Sequence, residues 1–185
     1  LIKMDTNMKS KELFKDVFAL KPDLFLVVGW YHMIPDLWIN ISPAYGLHAS
    51  LLPKYKGGAP LVWAMINGEK ETGITLFKMN KGVDSGDIIG QEKVKIYNND
   101  TIKTLYSRVE IRGIKLIRNI MPKLAAGEII KIKKDNKDYK VWPQRSPEDG
   151  LINWNNISSN IDRFIRAQTK PYPGAFTIIN NTKII

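Results

Sequence analysis

Residues 46–90, GLHASLLPKYKGGAPLVWAMINGEKETGITLFKMNKGVDSGDIIG, decide the fold that this sequence predicts. The stretch begins inside a short apolar strand that ends at His48, and it continues into a helical pattern at 60–68 that Asn-Gly closes. Alternating apolar residues then predict strands at 71–79 and 87–96, joined by a glycine-bounded turn. A strand, a helix and two further strands in so short a stretch indicate an α/β domain.

The same patterns continue on both sides of this stretch. The segment DLFLVV at 23–28 is almost wholly apolar, as expected of a strand that is buried on both faces of a parallel sheet. Strands that alternate with helices predict an open sheet, and ligands bind at the carboxyl ends of the strands in such folds. His48 is expected at one of these ends. Further helices are predicted at 9–20, 36–40, 101–126 and 158–168.

The composition is that of a globular protein, with 44% hydrophobic and 25% charged residues in a chain of 185. The chain has no cysteine and two histidines, so disulfides and thiolate or all-imidazole metal sites are excluded, and no metal is expected. The apolar run at 24–30 is too short to span a membrane, and a cytoplasmic location is expected. A net charge of +10 favours anionic partners, although a general lysine-rich bias explains it equally well.

His48 and Asp84 are the candidate catalytic residues. A histidine that a carboxylate orients or charges can move protons and stabilise an anion near neutral pH. From the residues alone, two ordinary roles remain open. His48 could be a strand-end imidazole that is satisfied by the Ser50 hydroxyl or by backbone groups, and Asp84 could be a turn aspartate that accepts backbone N–H bonds.

The segment 46–90 resembles the 10-formyltetrahydrofolate-dependent formyltransferase family nearly throughout. The family pattern is Asn-x-His, Ser-Leu-Leu-Pro, a basic glycine-rich turn, a helix often beginning Ala-Pro, Thr-Gly-x-Thr, and an aspartate with a glycine after it. His48 and Asp84 are spaced as this resemblance requires. GWYHMI at 29–34 resembles the loop that borders the pterin. SPEDGLINWNN and RAQTKPYPGAF, within 146–176, resemble the start of the C-terminal domain of the methionyl-tRNA and sugar-modifying branches.

The resemblance implies an open, mostly parallel, Rossmann-like formyltransferase sheet with helices on both faces, followed by the start of a smaller C-terminal domain. The expected divisions are a catalytic domain at 1–141, a linker at 142–150 and the C-terminal domain at 151–185. Family members begin before the residue that matches Leu1 and continue beyond Ile185, so the chain is expected to be a fragment that is open at both ends. An exposed sheet edge and core predict association, including homo-oligomers.

The implied reaction moves the formyl group from N10 of 10-formyltetrahydrofolate to a primary amine through a tetrahedral oxyanion, without a metal. By resemblance, His48 stabilises this intermediate and exchanges protons, while Asp84 orients or charges the imidazole and helps to order a water that relays the proton. Ser50 to Pro53 shape the turn that presents His48. The implied folate site consists of Met33, Ile34, Ser50, Leu51, Leu52, Pro53, Asn80 and Val83.

Position 46 departs from the family pattern. The asparagine expected there would donate its amide to the formyl oxygen, whereas Gly46 has no side chain. Losing such a donor costs on the order of 3 kcal/mol of transition-state stabilisation. Three explanations are open. Water or another donor replaces the amide, which we favour because His48 and Asp84 are retained; the chemistry shifts to hydrolysis of the formyl group; or the fold binds folate or a nucleotide without catalysis.

Lys54 and Lys56, on either side of Tyr55, are candidates for binding an acceptor phosphate, with solvated loop lysines as the alternative. Two acceptors fit the resemblance: an amino sugar carried on a nucleotide, and methionine esterified to initiator tRNA. Gly46 and the segment KPYPGAF favour the sugar-modifying branch. The positive charge favours tRNA, whose binding depends on phosphate neutralisation. We expect the amino sugar as the acceptor and keep methionyl-tRNA as the alternative.

Overall fold

The structure is a computed structural model that describes residues 8, 10–128, 131–132 and 139–185. The first residues of the predicted catalytic domain lie outside this part of the chain. In chain order the elements are α1 (Lys11–Ala19), β1 (Phe25–Val27), α2 (Asp36–Ile39), β2 (Ala44–His48), β3 (Lys56–Gly57), α3 (Pro60–Ile66), β4 (Glu71–Lys78), β5 (Ile88–Lys95), α4 (Ile102–Ala125), β6 (Val141–Trp142), a 3-10 helix (Pro147–Gly150), α5 (Ser158–Ala167), β7 (Thr177–Ile179) and β8 (Thr182–Ile184).

A four-stranded sheet in the order β1-β2-β4-β5 forms the centre of the fold. β1 and β2 are parallel, whereas β4 runs antiparallel to both of its neighbours. The predicted α/β class is confirmed. The sheet is predicted to be mostly parallel, whereas its described part is mixed, with one parallel and two antiparallel pairings. The turn between β4 and β5 accounts for one antiparallel pairing, because it reverses the chain. His48 is the last residue of β2 and lies at the carboxyl end of that strand, as predicted.

Successive residues of β4 face opposite sides of the sheet, which separates the main core from the face that carries His48. Ile74 and Leu76 lie in the main core with apolar residues of α3, α4 and α5. Thr75 and Phe77 face the other side. His48 lies directly opposite Thr75 in the register of β2 and β4, so the two side chains share that face.

β1 is covered on one face only within the described residues. α1 and α2 pack on the side of Phe25 and Val27 through a cluster around Trp38, so helices lie on both faces of the sheet. On the opposite side of β1, Leu26 is 38% exposed. The prediction of a strand buried on both faces is therefore wrong. The reason is that Leu26, unlike Phe25 and Val27, joins no apolar cluster of the described residues.

The predicted helices are all present, with ends that differ from the prediction by at most two residues. Side-chain caps explain where two of them begin. The Ser10 hydroxyl accepts from the Leu13 N–H at 3.2 Å, and Thr101 and Thr104 form a reciprocal capping box at the start of α4. No helix in the described ranges is both long enough and apolar enough to cross a membrane.

Asp100 ties the start of α4 to α5. The Arg108 guanidinium donates to both of its carboxylate oxygens, and Arg166 of α5 donates to its backbone carbonyl at 2.6 Å. Burial raises the pKa of the Asp100 carboxyl, but hydrogen bonds from Arg108, the Tyr97 N–H and Thr104 lower it more, so that the pKa lies below its usual value. The ionised form of Asp100 therefore stabilises the folded chain.

Replacing this carboxylate should destabilise the fold. We expect Asp100→Asn to lower the free energy of unfolding by about 2 kcal/mol at neutral pH, because Arg108 loses its charged partner. Since the folded-state pKa is depressed, the contribution of Asp100 is present above the unfolded-state pKa of about 4 and is lost as the pH falls through the folded-state value. Urea denaturation at pH 7 and at pH 3 measures both effects.

Glu71→Gln is the matched control, because Glu71 pairs with Lys93 at the surface, apart from Asp100, and its side chain is 50% exposed. Breaking this pair should cost less than about 1 kcal/mol. Equal losses in the two variants at pH 7 would contradict the role given to Asp100.

Candidate active site

The structure brings His48 and Asp84 together from distant parts of the sequence. His48 Nδ1 lies 3.5 Å from Asp84 Oδ2, and the two side chains are 11% and 20% exposed. This separation is longer than a good hydrogen bond. Asp84 is close enough to orient the imidazole and to stabilise a positive charge on it.

Residues 49–58, which we name the site loop, hold both partners. His48 Nε2 donates to the Tyr55 carbonyl at 2.7 Å. A carbonyl only accepts hydrogen bonds, so Nε2 carries a proton and the Nδ1 edge is the one that meets Asp84. The Gly57 N–H donates to Asp84 Oδ2 at 2.8 Å. The same short stretch therefore positions the ring and the carboxylate together.

Both ordinary roles are present: backbone groups bind the His48 imidazole, and Asp84 accepts a backbone N–H. Here these contacts bring the two side chains together. The Ser50 hydroxyl donates to the Lys54 carbonyl at 2.7 Å and not to His48; the imidazole is bound by the Tyr55 backbone instead. Asp84 does accept a backbone N–H, but from Gly57 in the site loop. These backbone contacts join the two side chains through one loop, and so they pre-organise the pair.

Thr75, the last residue of the Thr-Gly-x-Thr motif, supports the Ser-Leu-Leu-Pro turn. Its fully buried hydroxyl donates to the Ser50 carbonyl at 2.6 Å and accepts from the Leu52 N–H at 3.1 Å. Gln91 of β5 donates to Thr75 Oγ1 at 2.9 Å and to the Leu52 carbonyl at 2.8 Å. The turn that follows His48 is therefore fixed by side chains of β4 and β5.

The residues predicted to form the folate site occupy two places. The first is the turn at 50–53, where Ser50 and Leu52 are buried and support the loop from within. Their burial gives them the turn-shaping role and removes them from direct contact with a ligand. Leu51 and Pro53 are half-buried and remain candidates for such contact.

The second place combines the loop 29–35 with the turn 79–87. Lys81 Nζ and Asp36 Oδ2 lie 2.8 Å apart and join these two segments at their ends. Met33 and Val83 are 57% and 40% exposed, so each segment presents an apolar side chain. The segments predicted to border the pterin are therefore neighbours in the fold.

Ile34 and Asn80 shape these two segments. Ile34 is buried in the cluster around Trp38. Asn80 Oδ1 accepts from the Gly82 N–H at 3.0 Å and from the Ser85 hydroxyl at 2.7 Å, which holds the turn. Both side chains therefore act on the shape of the predicted folate site.

The two candidate phosphate-binding lysines lie on the site loop. Lys54 is exposed, and Lys56 is half-buried in β3. Between them, the Tyr55 hydroxyl donates to Glu69 at 2.8 Å. The pKa of Tyr55 is raised to about 12, mainly by burial and in part by Glu69, while the hydrogen bond from Asn67 opposes the rise. Tyr55 thus stays neutral at physiological pH and adds no negative charge to the loop. Within the described ranges, no group of three or more His, Asp and Glu side chains is arranged to hold a metal ion.

Gly46 lies next to a space that a core side chain fills. It pairs with Phe77 in the register of β2 and β4. A Cβ at position 46 would lie 2.8 Å from Phe77 Cε1. Phe77 is 3% exposed and packs with Leu52 and Ile88 beneath the site loop. A side chain at position 46, such as the asparagine of the family pattern, would therefore begin too close to the Phe77 ring.

Comparison with known proteins identifies the family of this chain. The formyl transferase family matches residues 4–120, and the formyl transferase C-terminal domain matches residues 145–185. The chain belongs to the formyl transferase family. It is 39% identical over 181 residues to the bifunctional polymyxin resistance protein ArnA of Wigglesworthia glossinidia brevipalpis, a match that covers 97% of the chain and 28% of ArnA. The chain thus spans less than a third of the length of this relative.

Solved structures of related proteins share the fold. A sugar N-formyltransferase from a Shewanella species superposes with a TM-score of 0.81 at 21% identity, over 98% of the chain and 74% of that protein. Methionyl-tRNA formyltransferase from Clostridium thermocellum superposes with a TM-score of 0.75 at 25% identity, over 95% and 76%. The predicted family and its fold are confirmed.

Several residues that build the candidate site carry little signal in the sequence. Tyr55 and Gly57 contribute backbone groups, which no side-chain pattern reveals. Gln91 and Phe77 act through strand register, which the sequence leaves open. The one signal in the sequence is the Gly57-Gly58 pair in the basic turn, because adjacent glycines often mark a close approach of another part of the backbone.

The hydrogen bonds of Thr75 can be tested against a matched residue of the same strand. Thr72 is 3% exposed, and its hydroxyl has no hydrogen-bond partner in the part of the chain that the structure describes. We expect Thr75→Val to lower the free energy of unfolding by about 2 kcal/mol, because the Leu52 N–H and Gln91 lose their acceptor. Thr72→Val should be neutral or stabilising. Urea denaturation of both variants provides the measurement, and equal effects would refute the support given to Thr75.

The pairing of Gly46 with Phe77 makes a second prediction about stability. Gly46→Asn should lower the free energy of unfolding by about 1 to 3 kcal/mol, because its side chain collides with the Phe77 ring. Phe77→Leu shortens that side chain and should recover part of the loss in the double variant. A double-mutant cycle measured by urea denaturation should give a favourable coupling of at least about 1 kcal/mol. Additive effects would show that the ring does not occupy this space.

Proposed function

We propose that this formyltransferase moves the formyl group of 10-formyltetrahydrofolate to a primary amine at His48 and Asp84. The observation that carries the proposal is that one loop orients both side chains at the carboxyl end of β2. Ligands bind at such strand ends in open α/β folds. Membership of the family supports the donor and the class of reaction.

The reaction forms one C–N bond and breaks another. The amine nitrogen attacks the formyl carbon, and the electron pair of the C=O bond moves to oxygen to give the tetrahedral oxyanion. The bond from this carbon to N10 then breaks, the C=O bond forms again and tetrahydrofolate leaves. The amine loses a proton and N10 gains one, so a group at the site must carry a proton between them.

His48 performs the proton transfer at its Nδ1 edge in this proposal. The Nε2 proton is engaged by the Tyr55 carbonyl, which leaves the edge that faces Asp84 to exchange protons. Asp84 stabilises the positive charge of the ring while His48 holds the extra proton. Both side chains are largely shielded from water, which strengthens their electrostatic interaction.

The oxyanion is stabilised without the amide of the family pattern. Gly46 contributes no side chain, and the Phe77 ring fills the adjacent space. We infer that the protonated imidazole of His48 supplies the main stabilisation and that water takes the place of the amide donor. Formate as the product would instead support hydrolysis of the formyl group, and folate binding without turnover would support a binding module.

The folate donor is proposed to bind against the loop 29–35 and the turn 79–87. Met33 and Val83 supply exposed apolar side chains, and Ile34 and Asn80 shape the two segments. Ile34 and Met79 pack in one apolar cluster, which keeps the two segments together. We also infer a cytoplasmic location, since a chain without cysteine suits a reducing compartment.

A nucleotide-linked amino sugar is the proposed acceptor. Lys54 and Lys56 flank the residue whose carbonyl binds His48, so a phosphate held there would bring the attached amine to the site. The likeness to a sugar N-formyltransferase supports this acceptor. Initiator methionyl-tRNA is the second candidate, which the net charge of +10 and the likeness to a methionyl-tRNA formyltransferase favour.

Formyl-transfer assays with both acceptors test the proposal. The release of tetrahydrofolate and the mass of the formylated amine are measured for the wild type, His48→Ala and Asp84→Asn. Each variant should lower kcat by about 100-fold or more, because each removes a part of the proton-transfer pair. Asp162→Asn, a surface variant of the same chemistry, should leave kcat unchanged. Wild-type rates in His48→Ala would contradict the proposed mechanism.

The salt dependence of the assay separates the two acceptors. A tRNA acceptor, which neutralises several phosphates on binding, predicts a loss of affinity of orders of magnitude between 50 and 200 mM salt. A nucleotide sugar carries few charges and predicts a much smaller change. Transfer to methionyl-tRNA alone would exclude the amino-sugar proposal.

A further inference from the structure

We propose that Trp142, in the segment predicted as a linker, is a positioning residue for the pair formed by His48 and Asp84. The inference rests on the proposed function of that pair. The contacts that orient the pair come from two backbone groups of the site loop, the Tyr55 carbonyl and the Gly57 N–H. Any displacement of these groups displaces the ring and the carboxylate together.

The site loop does not keep this shape by local preference. Tyr55 in the loop and Ala59, the residue that follows the loop, have positive φ angles of 56° and 46°, and Gly57 has a φ of 94°. Left-handed backbone geometry is unfavourable for residues with a side chain and persists where surrounding structure imposes it. A contact from outside the site loop must therefore hold residues 55–59.

β6 makes this contact. It pairs in parallel with β3 in the site loop, so that Gly57 lies opposite Trp142. The Gly58 N–H donates to the Trp142 carbonyl at 2.9 Å. A Cβ on Gly57 would lie 2.2 Å from the same carbonyl oxygen. The backbone of β6 thus passes so close to the site loop that glycine is required at position 57.

The Trp142 side chain anchors β6 to the loop. Its ring stacks on Tyr55, with centroids 5.3 Å apart and planes 23° apart. It also packs on Trp63 of α3, with centroids 4.9 Å apart. Lys140 Nζ lies 4.3 Å from the ring centroid. Stacked aromatic pairs stabilise each other beyond the area that they bury.

Two routes therefore lead from Trp142 to the catalytic pair. Its ring holds Tyr55, whose carbonyl accepts the His48 proton, and its backbone holds the Gly57 segment, whose N–H binds Asp84. The ring is engaged by Tyr55, Trp63 and Lys140, so Trp142 acts through the loop and not by touching substrate.

The test compares Trp142→Ala with the conservative Trp142→Phe and with Trp154→Ala. Trp154 is the matched control, because it is 59% exposed and donates to Thr177 in the C-terminal segment. The first readout is the NMR signal of the His48 Nε2 proton, assigned with His48→Gln. The second is the kcat and KM of formyl transfer. Far-UV circular dichroism verifies that each variant is folded.

We expect Trp142→Ala to lose the exchange-protected Nε2 proton signal and to lower kcat on the order of 100-fold, with little change in the KM for folate, because the pair is misplaced but the folate walls are intact. Trp142→Phe should restore much of both readouts, and Trp154→Ala should change neither. A folded Trp142→Ala variant that keeps the proton signal and the wild-type kcat overturns the inference.

Gly57→Ala keeps the inference testable if Trp142→Ala does not fold. This variant retains the Trp142 ring but forces β6 away from the loop, and it should also lose the proton signal. An unchanged signal in folded Gly57→Ala overturns the inference. The two proposals fail separately: if the wild type transfers no formyl group but Trp142→Ala still loses the signal, the proposed function is wrong and the positioning role stands.

Discussion

The hydrogen bond from His48 Nε2 to the Tyr55 carbonyl is the interaction on which the proposed active site depends. It places the proton on Nε2 and leaves the Nδ1 edge, 3.5 Å from Asp84, for chemistry. The carbonyl belongs to Tyr55, whose φ of 56° is left-handed. Thr75 and Gln91 hold the start of the loop from the sheet, and β6 holds its end. The position of the His48 ring therefore depends on β4 and β5, which precede α4, and on β6, which follows it.

The same sheet face explains the unusual glycine at position 46. An amide at this position would need the space that Phe77 fills, and Phe77 belongs to the cluster that supports the site loop through Leu52. Phe77 thus packs beneath the site loop, and position 46 carries no amide side chain. A missing donor costs on the order of 3 kcal/mol of transition-state stabilisation in related chemistry. The proposed catalysis therefore requires that His48 and Asp84 are well positioned. This requirement agrees with the number of contacts that hold the site loop.

The sequence predicted the elements of the fold better than their contacts. Short apolar runs and helical periodicity located β2, β4, β5 and the helices, because these patterns are local. They did not predict that β1 would be half exposed or that β4 would be antiparallel to β2, since neither depends on local pattern. His48 and Asp84 were found through a motif that spans the strands. The predicted linker begins at Trp142. The stacking of Trp142 on Tyr55 joins residues that are far apart in the chain. Long-range pairing of this kind leaves no periodic signal.

The protonation of the His48 ring is the most direct test of the central claim that the site loop fixes this imidazole. Nitrogen-15 NMR, at a pH where the ring is neutral, distinguishes the two tautomers, and His48→Gln assigns the signals. We expect a protonated Nε2 that exchanges slowly with water and a bare Nδ1. A proton on Nδ1 with a bare Nε2 would mean that the Tyr55 carbonyl does not hold the ring, and it would contradict the account.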